Sequence, residues 1–283
     1  MYIYINGQVL SKEDAAISPY DHGFMYGLGA FETFRTYNGF PFLIDEHIER
    51  LHEALNELNI SAAIDSDHIL EMVKILLEKN ELKDAYFRLN VSAGVGDIGL
   101  QTDPYESPAV ILFTKPLPQT RSDSEKELVP LNTVRNTPEG ERRLKSHHYL
   151  NSILGKRELK NALKQEGVFL TKEGYISEGT VSNLFWYKGR KLFTPGLSTG
   201  ILNGITRKWV LKASEKRNIP FETGNYKIKE LLDADEVFLT NSIQELVPVN
   251  RFEEKKYPGA EGELFQKLIA MYSEDTKNRR RSI

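Results

Sequence analysis

Leu144–Leu150 reads L-K-S-H-H-Y-L, and its lysine, Lys145, is the residue around which the rest of the chain is organised. Further along comes Ser177–Asn183, S-E-G-T-V-S-N, and then Thr199–Arg207, T-G-I-L-N-G-I-T-R. The order is an amine, then a carboxylate beside a Ser/Asn-rich turn, then a glycine loop opening a helix. Alone, each has an ordinary explanation. Most lysines are surface charges, a turn glutamate is usually solvated, and a glycine before a helix is a common connection.

Working outward, the 283-residue chain suits two modest domains or one large one. Apolar residues make up 40 %, enough for a sizeable core, and the net charge of −3 predicts no affinity for nucleic acid or an anionic membrane. Cysteine is absent, which excludes disulfides, thiolate metal sites and a catalytic thiol. The start, M-Y-I-Y-I-N-G-Q, lacks the basic and apolar regions of a signal peptide. No apolar run approaches the ~20 residues of a membrane span. These features predict a soluble cytoplasmic enzyme acting on a small molecule.

The chain predicts an α/β (α+β) fold in two domains. A small N-terminal α/β domain is expected over 1–116 and a polar, Pro-containing linker over 117–124. A larger domain carrying Lys145 is expected over 125–275, and a polar, disordered tail over 276–283. Clefts between domains are favoured ligand sites. Tyr2–Ile5 and Gln8–Leu10 read as a hairpin around Asn6-Gly7, and Phe31–Tyr37 and Pro41–Leu43 as another around Asn38-Gly39. Asp45–Leu58 is a helix with an apolar stripe of Ile48, Leu51, Leu55 and Leu58, and Arg50 lies at its edge. A second helix is expected over Asp67–Asn80 with Asp67 as N-cap. In the strand Ala85–Ala93, Phe87, Leu89 and Val91 share one face, and Tyr86, Arg88, Asn90 and Ser92 the other. Further helices are expected over Tyr149–Gln165, Gly204–Lys216 and Glu261–Ser273, with strands Leu128–Val134, Gly167–Leu170, Asn183–Tyr187, Lys191–Phe193 and Glu236–Thr240. Gly27-x-Gly29 lacks the third glycine and preceding strand of a dinucleotide fingerprint.

A lysine works as a nucleophile when burial or nearby cations depress its pKa. Glu178 is suited to hold a heteroaromatic nitrogen protonated, and the helix start at Gly204-Ile205-Thr206 is suited to a phosphate. Amine, acid and phosphate donors in this order suit pyridoxal phosphate. His147-His148 lacks the helical spacing and carboxylate partner of a metal site, so no metal is expected and a structural or lining role is preferred.

Six collinear motifs carry a more specific resemblance: D-H-G-F-M-Y-G-L-G-A-F-E-T-F-R, D-E-H-I-E-R-L, L-K-S-H-H-Y-L-N, S-E-G-T-V-S-N-L-F-W, T-G-I-L-N-G-I-T-R and T-N-S-I-Q-E-L-V-P-V. The chain resembles, over nearly its whole length, the branched-chain/D-amino-acid aminotransferase and aminodeoxychorismate lyase superfamily, the fold-type IV pyridoxal-phosphate enzymes. The resemblance implies that Lys145 bonds the cofactor aldehyde, Glu178 the pyridine nitrogen and Arg50 the phosphate. It adds Ile205 and Thr206 as phosphate donors with Asn241 and Ser242 nearby, Tyr149 near the phenolic oxygen, and a homodimer. Ala93–Asp97, A-G-V-G-D, replaces the R-G-x-x-x-R-x-H-like carboxylate trap of the D-amino-acid enzymes. Tyr86-Phe87-Arg88-Leu89 matches the branched-chain Y-I-R-P-L only in part, and the paired-glycine insertion is missing. Asn136–Asn151 is most similar to the lyase branch, which implies conversion of aminodeoxychorismate to 4-aminobenzoate and pyruvate on the route to folate. Arg88, with Phe31, is then expected on the substrate. The alternatives are a branched-chain or D-amino-acid aminotransferase on the same scaffold and, more remotely, a non-catalytic cofactor-binding protein.

Overall fold

A computed structural model describes residues 1–117, 125–278 and 281. They form two compact units, one of residues 1–117, 144–148, 276–278 and 281, the other of 125–143 and 149–275. Of the linker expected at 117–124, residues 118–124 lie outside the described residues.

The first unit contains β1 (Tyr2–Ile5), β2 (Gln8–Ser11), α1 (His22–Tyr26), β3 (Gly29–Tyr37), β4 (Phe40–Pro41), α2 (Ile44–Glu57), α3 (Ser66–Lys79), β5 (Ala85–Ser92) and β6 (Ala109–Pro116). Its six-stranded sheet has the order β2-β1-β6-β5-β3-β4, antiparallel throughout. Both hairpins turn at Asn-Gly pairs with positive φ, which these residues tolerate where others do not. Period-two alternation sorts β5: Phe87, Leu89 and Val91 are fully buried. They join Phe34, Ile48, Leu51, Val73 and Leu76 in one apolar core between α2, α3 and the sheet. Arg88 and Asn90 take the other side and are half-buried. Asp65, not Asp67, caps α3: its carboxylate accepts from the His68 N–H at 2.8 Å. Both aspartates fit the cap pattern, and two residues of register decide between them.

Two expectations about domain membership change. Leu144–His148 belongs to the first unit rather than to the larger C-terminal one. The segment pairs with β3: Ala30 bridges Ser146, Phe31 N donates to Lys145 O at 2.9 Å and His147 N to Gly29 O at 3.0 Å. The tail expected from 276 is also partly built: the last helix reaches Lys277, and Arg281 pairs with Asp45 at 3.2 Å and Asp67 at 2.9 Å.

The second unit contains β7 (Lys126–Pro130), α4 (Leu150–Arg157), β8 (Gln165–Leu170), β9 (Ile176–Gly179), β10 (Asn183–Lys188), β11 (Lys191–Pro195), α5 (Ile205–Lys216), β12 (Phe221–Gly224), α6 (Lys229–Leu232), β13 (Glu236–Asn241), β14 (Glu245–Phe252), β15 (Lys255–Lys256) and most of α7 (Glu263–Lys277). Its mixed sheet runs β12-β11-β10-β13-β14-β7-β8-β9, with β15 on β14. Only Thr180–Ser182 separate β9, at the end of this order, from β10, so the sheet curls back on itself. Trp186, Leu184, Val237, Leu239 and Phe252 fill one core cluster. The helix expected over Tyr149–Gln165 stops at Arg157, because the chain turns there and re-enters the sheet as β8. Among the described residues no helix is long and apolar enough to cross a membrane.

Candidate functional site

Within the first unit the pairing of 145–147 with β3 fixes directions. In an antiparallel pair, residues opposite one another share a side, and so do residues two apart. Lys145 lies opposite Phe31 and His147 opposite Gly29, which puts Lys145, Phe31 and His147 on one side of the sheet. The register Phe31↔Asn90 and Thr33↔Arg88 adds Asn90 and Arg88 to that side. The contacts agree. Lys145 Nζ lies 4.6 Å and the Arg88 guanidinium 3.5 Å from the Phe31 ring centre, while the His147 ring is 6.4 Å away. Arg88 also donates through Nε and Nη2 to Asn90 Oδ1 at 3.3 and 3.1 Å. Phe31, Arg88 and Lys145 are thus brought together as a group of two cations around one aromatic ring.

Arg50 is placed differently. It sits on α2, buried, and its guanidinium edge meets Glu32: Nε donates to Oε1 and Nη2 to Oε2, both at 2.7 Å. His47, one turn earlier, meets Glu32 Oε2 at 2.6 Å, so its Nδ1 carries the proton. Burial alone would raise the Glu32 pKa, but Arg50 and His47 outweigh it and bring it down to about 2. Burial lowers the His47 pKa, against the pull of Glu32, and the nearby charges of Arg50 and Lys145 add to the lowering. Glu32 and His47 escaped sequence analysis, since a strand glutamate and a helix histidine read as surface residues.

In the second unit Glu178 lies in β9, not in the turn expected, and is buried. Arg135 donates to its Oε1 from Nε at 3.0 Å and Nη2 at 2.7 Å. Its Oε2 accepts from the Leu202 N–H at 2.9 Å and from Asn183 Nδ2 at 3.3 Å. Asn183 Nδ2 also donates to Leu202 O at 2.8 Å, which ties β10 to the loop before α5. Gly204 caps α5 because a Cβ there would run into Asn183 Oδ1. The turn after Glu178 is held by Glu166, whose Oε1 accepts from Thr180 N at 2.5 Å and Thr180 Oγ1 at 2.7 Å. Two further arginines flank Glu178. Arg143 approaches it at 3.7 Å, and burial lowers the Arg207 pKa to about 10 against the opposing charge of Glu178.

The α5 start has no side-chain cap and no acid in its first turn, and Ile205 and Thr206 there are buried. Its first N–H groups are the anion-binding kind. Asn183 pairs with Thr240, so Glu178, the α5 start and the end of β13 come together around Asn183. Asn241 uses its side chain in its own turn, accepting from Ile243 N at 3.0 Å and Gln244 N at 2.7 Å, with Ser242 at the tip. Tyr149 precedes α4 as its N-cap residue and is half-buried.

Residues 29–252 match the amino-transferase class IV family, and the chain belongs to that family. It is 46 % identical over 278 residues to aminodeoxychorismate lyase of Bacillus subtilis, covering 98 % of this chain and 95 % of that one. It is 36 % identical over 251 residues to a putative branched-chain-amino-acid aminotransferase of Methanocaldococcus jannaschii, covering 88 % and 87 %. The crystal structure of 4-amino-4-deoxychorismate lyase from Pseudomonas aeruginosa superposes with a TM-score of 0.85 at 27 % identity, covering 96 % of this chain and 98 % of the other. The mixed α/β fold with its two sheets is the fold of these enzymes.

Proposed function

We propose that this chain is a pyridoxal-phosphate-dependent lyase that converts 4-amino-4-deoxychorismate to 4-aminobenzoate and pyruvate, a step towards folate. The observation that carries it is the 46 % identity to the Bacillus subtilis lyase along nearly the whole of both chains. The donor set suits the cofactor: a lysine amine beside an aromatic ring, a buried carboxylate fixed on both oxygens, and an uncapped helix start with no acid in its first turn. Lys145 would hold the aldehyde, Glu178 the ring nitrogen, and Arg50 with the Ile205 and Thr206 N–H groups the phosphate. Asn241 and Ser242 border that phosphate position, and Tyr149 serves the phenolic oxygen. When bound, the cofactor supplies a carbonyl for the substrate amine and a ring that accepts negative charge from the adjacent carbon.

The chain's own groups do the rest. Lys145 takes the proton from the ring carbon bearing nitrogen and later returns it to the leaving fragment. Arg135, Asn183 and the Leu202 N–H keep Glu178 an oriented carboxylate. Arg88 lies on the Lys145 side of the sheet with the Phe31 ring packed beneath it, and it would take a substrate carboxylate. The proposal includes a homodimer in the cytoplasm. Exposed apolar side chains support a second copy: Phe24, Ile98 and Leu100 are 70 %, 77 % and 89 % exposed, and Leu150, Ile153 and Leu154 line an open face of α4.

The test is release of fluorescent 4-aminobenzoate from aminodeoxychorismate by the wild type and Lys145→Ala side by side. Product from the first and near silence from the second is the expected result. No product from wild type with bound cofactor would sink the lyase assignment. The aminotransferase alternative, which the Methanocaldococcus relative favours, would then be tested by conversion of the bound cofactor to its amine form with an amino acid alone.

A further inference from the structure

His147 is not used by the chemistry above, and it is not placed like a surface histidine. Its Nε2 is buried and meets no donor or acceptor among the described residues. A buried polar atom without a partner is costly unless a ligand completes it. The ring also has a berth made for it. A side chain at Gly29 would place its Cβ 2.7 Å from His147 Nδ1, so only glycine opposite lets the imidazole lie over β3. From there it shares the side of the sheet with Lys145, two residues back along the same extended segment. That spacing is roughly 6.5 Å between backbones.

The substrate asks for such a pair. In aminodeoxychorismate the amine and the enolpyruvyl ether are trans on neighbouring ring carbons. The hydrogen that Lys145 removes and the oxygen that leaves therefore lie on the same ring face. A base and an oxygen donor serving them must stand next to one another and approach from one side.

Building on the lyase assignment, we propose that His147 is a catalytic residue for the bond-breaking step, donating a hydrogen bond from Nε2–H to the enolpyruvyl ether oxygen as it departs. The step balances within the substrate. Lys145 takes the proton from the carbon bearing nitrogen, the C–H electron pair becomes the new ring double bond, and the C–O pair leaves on oxygen as enolpyruvate. The proton on Lys145 then passes to the terminal methylene carbon and gives pyruvate. His147 keeps its own N–H throughout; it stabilises the charge growing on oxygen. Its protonation state suits that task. Burial, with the Arg88 cation next in weight, lowers its pKa to about 4, and the pull of Asp21 does not restore it. At neutral pH the ring is an uncharged donor.

The test uses the holoenzyme with aminodeoxychorismate as substrate. His147→Ala should lower kcat for 4-aminobenzoate release by about 10²- to 10³-fold, the usual cost of one donor to a developing oxyanion. KM and the absorbance band of the bound cofactor should stay as in wild type. His147→Asn and His147→Gln, which restore a neutral N–H donor, should recover part of the loss. A His147→Ala enzyme with wild-type kcat overturns the proposal, and so does one whose defect is loss of cofactor or a raised KM alone. Neither of those results touches the lyase assignment. A wild-type holoenzyme that releases no 4-aminobenzoate takes down both.

Discussion

Arg135 turns two guanidinium N–H groups onto a single oxygen of Glu178, at 2.7 and 3.0 Å, across 43 residues of sequence. Both side chains are buried, so neither charge has water to fall back on. Removing one partner of such a pair costs about 3–5 kcal/mol, because the other is left as a buried charge. Arg135→Ala should therefore lose stability towards the small end of that range, since Asn183 and the Leu202 N–H still hold the second oxygen. Urea unfolding of the two proteins checks this. An unchanged midpoint would mean that Arg135 is dispensable for holding Glu178.

Glu32 gives a pH signature. Its pKa in the folded protein is about 2, against 4.5 for an ordinary glutamate, because Arg50 and His47 outweigh the penalty of burial. A depressed carboxylate pKa stabilises the fold above the unfolded value and loses that contribution as the pH falls towards the folded one. The window thus runs from about 4.5 down to about 2. Across it the contribution at stake is about 3 kcal/mol. Glu32→Gln should be less stable than wild type at pH 7 and should show a shallower decline between pH 5 and 2. Parallel acid limbs in denaturant-based stability measurements would contradict this.

The elements that were legible in the sequence share a local cause. The hairpins follow from Asn-Gly turns, α2 from its apolar stripe, and the sides of β5 from strict alternation. Lys145, Glu178 and the α5 start could be proposed from the sequence because each sits in a short motif next to a turn or a helix start. What escaped depends on distance along the chain. The lysine segment joins the first unit through pairing with β3, a partner more than a hundred residues away. Glu32 becomes a buried anchor only when α2 brings His47 and Arg50 over it, and nothing around Arg135 signals that it will meet Glu178. The short strands β12 and β15 are missed because their residues are mostly exposed and carry no alternation.

Gly29 should tolerate no side chain. A Cβ there would stand 2.5 Å from the Val91 carbonyl oxygen and 2.7 Å from His147 Nδ1. The carbonyl belongs to the paired strand β5 and cannot step aside without breaking the ladder. Overpacking of this kind costs about 1–3 kcal/mol. Gly29→Ala should unfold at lower urea than wild type. It should also swing His147 out, so the imidazole signals in the NMR spectrum should titrate nearer the ordinary histidine range than about 4. A variant with wild-type stability and an unmoved His147 titration would show that the sheet adapts.

Arg88 separates two roles that its geometry combines. Its guanidinium packs on the Phe31 ring at 3.5 Å and donates to Asn90, which makes it a support for the floor of the site. Its place on the Lys145 side is the ground on which it is proposed as a ligand for a substrate carboxylate. A charge-assisted hydrogen bond of ~1.5–3 kcal/mol converts to roughly ten- to hundredfold in affinity. Arg88→Ala should raise KM for aminodeoxychorismate by that factor while leaving the cofactor bound. Arg88→Lys should restore little, because an ammonium lacks the planar fork that both stacks on a ring and grips a carboxylate. Equal KM in wild type and Arg88→Ala would leave Arg88 as the support of Phe31 and would send the search for the carboxylate ligand elsewhere on the chain.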